Sequence, residues 1–160
     1  MKILFCLFAI MMFNNKCGQN KSEVPNTAAL NSEISMATQD NIMIGYEAST
    51  RGFYERIWVA KDSVTYTNDR NQVEKTTHPI SETDWSELMA LLKDIDINTL
   101  PELDSPTSLR HHDGAPFATF FITKEKVETK SNSFDHGHPP KDIEAIVNKI
   151  VSMMEKFKKD

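Results

Sequence analysis

Four of the five histidines fall in two short runs, Arg110-His111-His112-Asp113-Gly114 and Phe134-Asp135-His136-Gly137-His138-Pro139. Neutral imidazole and carboxylate groups are ligands for zinc and for other divalent transition metals such as iron, nickel or copper. In an extended strand His-x-His turns both rings to one side, and Pro139 pushes His138 toward extended dihedrals. Asp113 or Asp135 would complete three or four ligands, or act as general base on a metal-bound water. The candidate metal ligands are therefore His111, His112, Asp113, Asp135, His136 and His138. The same residues also have a structural reading. Asp113-Gly114 is a common turn pair. Asp135 precedes a helix whose free N–H groups a carboxylate can satisfy, while that helix end disfavours added positive charge. Gly137 interrupts the strand geometry that His-x-His needs.

The two runs would be neighbours only if the chain between them folds back on itself. Phe117, Thr119, Phe121 and Thr123 alternate with Ala118, Phe120 and Ile122, which predicts a strand. Lys124-Glu125 supplies a polar tip, and Lys126 to Phe134 returns. The ends of an antiparallel hairpin lie side by side. Pairing Thr123 with Lys126 would set Asp113 opposite His136; a three-residue tip would set His112 opposite His138.

Other segments frame this hairpin. Period-two patterns predict strands over 42–48, 53–60 and 63–67, with a short fourth over 72–77, forming an antiparallel meander. In the second of these, Tyr54, Arg56 and Trp58 share one face, which suggests either a binding patch or a surface packed under helices. Ser81, Asp84 and the pair Ile80/Trp85 mark a helix start, and Trp85, Leu88, Met89 and Leu92 follow helical spacing. Residues 98–110, with Pro101 and Pro106, read as a loop. Asp94, Asp96, Glu102 and Asp104 lack the spacing of an EF-hand and read as solvated. Pro139-Pro140 opens a last helix, with Ile143, Ile146, Val147, Ile150, Val151, Met154 and Phe157 in one stripe. The expected fold is α+β: an antiparallel sheet of meander plus hairpin, with two helices on one face, in the order β-β-β-(β)-α-β-β-α.

The N-terminus has a different character. Met1-Lys2 precedes an apolar run from Ile3 to Phe13, then Asn14-Asn15-Lys16-Cys17-Gly18. A charged tip, an apolar run of about 11 residues and a polar exit describe a signal peptide, too short to span a bilayer as a helix. Cys17 stands where bacterial lipoproteins carry their acylated cysteine, although Lys16 and Asn14 depart from the usual small and Leu-like residues of that motif. The sequence thus divides into a leader over 1–17, a polar tether over 18–40 and one domain over 41–160. Cys6 and Cys17 are the only cysteines, so the domain has no internal disulfide, cysteine-ligated zinc or cysteine nucleophile. A net charge of −5 without a basic stripe argues against nucleic acid as a partner. No phosphate loop, serine nucleophile elbow or HExxH motif occurs, so no catalytic residue is assigned.

At Asp113-Gly114-Ala115 and at Phe134 to Pro140 the chain resembles small bacterial secreted or lipoprotein domains without an established activity. Their strand–helix–hairpin–helix order is similar over about residues 41–157. The resemblance implies export and a single domain. The expectation is a non-catalytic binding or interaction module of the cell envelope, held to a membrane through its lipid, with a protein or small-molecule partner. The alternative is a metal-binding protein or metal-dependent hydrolase using the two His/Asp runs.

Overall fold

The computed structural model describes residues 41–158; the leader, Cys17 and the tether lie outside the described residues. The strands are β1 (Ile42–Ser49), β2 (Tyr54–Val59), β3 (Ser63–Thr67), β4 (Thr76–Pro79), β5 (Phe117–Lys124), β6 (Val127–Lys130) and β7 (Phe134–Asp135). All pairings are antiparallel, in the spatial order β4-β3-β2-β1-β5-β6, with β7 pairing β5 beyond the end of β6. Two helices complete the fold, α1 (Glu82–Leu92) and α2 (Glu144–Phe157). This is the expected α+β architecture.

Alternation in the strands builds one core. Ile44, Tyr46 and Ala48 of β1 point inward, as do Ile57 and Val59 of β2, Val64 of β3 and Ala118, Phe120 and Ile122 of β5. Trp85, Leu88, Met89 and Leu92 of α1 and Ile146, Val147, Ile150, Met153 and Met154 of α2 join the same cluster. Each large apolar side chain so buried contributes about 1.5–3 kcal/mol. α1 begins where the sequence predicts: the Ser81 hydroxyl accepts the Asp84 backbone N–H at 3.0 Å. Lys149 of α2 reaches across to Asp84 (2.6 Å) and Glu87 (2.5 Å) of α1. The prolines do not open α2 directly. A 3-10 turn over Lys141–Ile143 intervenes.

Three local departures from the expected elements have visible causes. The fourth strand starts at Thr76 rather than at 72, because the Asp69 carboxylate accepts the backbone N–H groups of Asn71, Val73 and Glu74 and curls that stretch into a loop. The presumed loop over 98–110 contains 3-10 turns at Ile97–Glu102 and Leu109–His112. The hairpin tip is the two-residue turn Glu125-Lys126, both at positive φ (51° and 70°), which pairs Lys124 with Val127.

The return strand is also broken. Ser131 N–H donates to the Phe120 carbonyl (2.9 Å), and the Ser131 hydroxyl accepts the Phe120 N–H (3.1 Å). Phe121 pairs with Lys130, yet Ala118 pairs with Phe134. Residues 131–133 thus oppose only 119–120, one residue too many, which is a β-bulge.

Candidate functional site

The bulge and the turn together decide where the two histidine runs go. His136 N–H donates to the Pro116 carbonyl at 2.9 Å, so His136 lies beside Pro116 rather than Asp113. The first run does not extend the ladder. His111 and His112 belong to the 3-10 turn, and Asp113 caps it in the left-handed region (φ 58°). The runs meet, but through Arg110 and Asp135 rather than through histidines. Asp135 is fully buried, and its oxygens accept from the Thr107 hydroxyl (2.5 Å), Leu109 N–H (2.6 Å), Arg110 N–H (3.0 Å) and the Arg110 guanidinium (2.9 Å). Burial pushes this carboxyl up, but these four donors outweigh it and hold Asp135 well below the usual carboxylate range. Asp135 therefore fastens the loop 107–110 to β7.

The histidines diverge. His111 sits edge-on to Phe117, with ring centroids 6.0 Å apart. His112 and His138 are exposed. His136 turns to the sheet, where its Nδ1 lies 2.6 Å from the Tyr46 hydroxyl. Among the described residues, no group of three or more His, Cys, Asp or Glu side chains is arranged to hold a metal ion.

His136 leads to a cluster that alternation conceals. Glu55 stands in phase with Ile57 and Val59 of β2 and so points inward, with its side chain 1 % exposed. One oxygen, Oε2, accepts from Lys158 at 2.5 Å. The other, Oε1, has no hydrogen-bond partner among the described residues and lies 3.9 Å from His136 Nδ1. Burial, then the charge of Glu55, push the Tyr46 phenol above its ordinary range. The phenol and His136 Nδ1 share a hydrogen bond whose direction is set by the imidazole tautomer. Burial pulls Lys158 down, but its bonds to Glu155 and Glu55 more than offset that and raise it. The signal for Glu55 was a charged residue on the apolar phase of a strand.

Among the described residues, no helix packs on the opposite face of the sheet. Tyr54, Arg56 and Trp58 do not pack under the helices; they belong to this outer face, out of phase with the core residues of β2. The Arg56 guanidinium lies 4.3 Å from the Phe121 ring centroid and 4.9 Å from that of Trp58. It also pairs with Glu47 (2.8 Å) on β1 and Glu128 (3.0 Å) on β6. Lys75 lies over Trp58 at 5.0 Å and Lys130 over Phe121 at 5.9 Å. The row Lys75–Trp58–Arg56–Phe121–Lys130 therefore alternates cations with π faces. Phe121 lies flat because Gly45 sits beneath it; a Cβ at Gly45 would fall on the Phe121 ring and the Ile57 carbonyl.

No helix among the described residues is long and apolar enough to cross a membrane. Comparison with known proteins yields no matching family model, no matching curated protein and no matching solved structure.

Proposed function

We propose that the chain is a non-catalytic binding module of the cell envelope, held to a membrane by acylation at Cys17, and that its outer sheet face receives a protein partner. The observation that carries this reading is the cation–aromatic row across a sheet face on which no helix of the described residues packs. Tyr, Trp and Arg are the residues most often dominant in protein interfaces, because each joins a large apolar body to a polar tip. Here Arg56 is already held between two rings and two carboxylates, so little side-chain freedom remains to be lost on association. An open sheet face suits a protein surface better than a small molecule, which favours enclosed concave sites. The leader, with its cysteine just beyond the apolar run, supports export and anchoring.

A photo-reactive amino acid placed at Thr65, on the outer face, tests this in intact cells, with Glu87 on α1 as the comparison position. The expected result is a discrete protein adduct from position 65 alone, lost when Trp58→Ala is added. Truncation of a central interface aromatic typically costs 2 kcal/mol or more, roughly a thirtyfold loss of affinity. Equal labelling from both positions, or an adduct indifferent to Trp58, would reject the outer face as the interface.

A further inference from the structure

Glu55 is a buried carboxylate satisfied on one side only. A structural ion pair of this depth normally uses both oxygens, because an unpaired buried acceptor costs about 1–3 kcal/mol. Its hydrogen-bond donor among the described residues, Lys158, is unusual in position. It follows the last residue of α2, its side chain is 29 % exposed, and its ammonium is shared with Glu155. Lys158 also lines a cleft of about 580 Å³ between the end of α2 and the β3–β4 edge. Tyr66, Thr67, Glu74, Lys75, Thr76 and Phe157 are among its other walls. The lysine side chain is thus what stands between the cleft and the buried carboxylate.

The surroundings favour a cation. Tyr66 and Phe157 line the cleft, and His78 stacks on one face of Phe157 with ring centroids 4.4 Å apart. Glu74 adds a second carboxylate to the lining, and the ammonium of the neighbouring Lys75 is engaged over the Trp58 ring, 5.0 Å from its centroid. An ammonium group has three N–H donors, enough to engage both oxygens of Glu55, and aromatic walls stabilise it further. The ammonium of Lys158 already shows that such a group fits against Oε2.

We propose that this cleft is a binding site for an alkylammonium group, with Glu55 as the counter-ion and Lys158 as the tethered cation that the ligand displaces. Binding swings Lys158 out toward Glu155 and gives the orphan oxygen Oε1 a donor. Of the outer-face row, Lys75 alone is also a wall of this cleft.

Titration of the full chain with n-butylammonium, followed by NMR of Tyr66 and Phe157, tests the proposal. The wild-type protein is expected to respond saturably with a dissociation constant on the order of millimolar. Lys158→Ala removes the internal competitor and should bind at least about tenfold more tightly. Neither n-butanol nor n-butyrate should produce a saturable shift, and Glu55→Gln should abolish the response to n-butylammonium. A wild-type protein that does not respond would overturn the proposal, even if Lys158→Ala binds, since Lys158 would then be a permanent structural partner. Retained binding in Glu55→Gln, or an equal response to n-butanol, would overturn it as well. The wild-type titration stands without any variant, should a substitution prevent folding.

Discussion

Removing the Asp135 carboxylate strands four donors at once, all of them on the loop 107–110. Breaking a buried, hydrogen-bonded charge pair from one side costs about 3–5 kcal/mol. Asp135→Ala should lower the unfolding free energy by that amount in urea titrations. The same carboxylate sets an acid limit. Its folded pKa is depressed, so its contribution is complete above the unfolded carboxylate value of about 3.9 and is lost as pH falls below it. Asp135→Asn should flatten the decline in stability below pH ~4 that the wild-type chain shows. Gly45 is the second sensitive residue. Gly45→Ala would press a methyl into Phe121 and Ile57, and overpacking of this kind costs about 1–3 kcal/mol, readable as a lowered Tm. Residue type alone could mark Asp135 as unusual but could not give its task. A carboxylate beside histidines has the same sequence signature whether it awaits a metal or clasps backbone amides. Only its four partners, two of them backbone N–H groups, separate the two cases.

At the level of elements, much of the fold was legible because the core writes its period into the chain. The alternation in 42–48 and 117–123 and the helical stripe from Ile146 to Met154 each bury one face, and each forms as the spacing predicts. What stayed hidden was register. A two-residue slip between the expected tip and Lys124–Val127, and then the bulge at 131–133, moved His136 from Asp113 to Pro116. Turn geometry and bulges change no hydrophobic pattern, so alternation cannot report them. Glu55 was hidden for the opposite reason: it obeys the alternation in position and violates it in polarity. The tip itself carries removable strain. Glu125 and Lys126 both adopt positive φ, where a side chain is disfavoured and glycine is not. Lys126→Gly should raise the unfolding free energy by about 0.5–1 kcal/mol without moving the strands, as checked by denaturant titration and unchanged amide spectra away from the tip.

For the whole molecule, the proposed function depends on the proposed anchor at Cys17. If Cys17 carries the lipid, labelled fatty acid should be incorporated by the wild-type chain and not by Cys17→Ser, which should leave the membrane fraction for the soluble one. Confinement to a surface crowds copies of the domain together, and a crowded sheet with open borders invites polymerisation. The two borders of this sheet are poor templates for it. β4 is four residues long and ends in Pro79, which has no N–H to offer a neighbouring strand. β6 is equally short and ends at the bulge, which displaces the next residues from the line of the strand. The extra residue between Lys130 and Phe134 that redirects His136 thus has a second effect: it denies an adjacent copy a continuous ladder along this border.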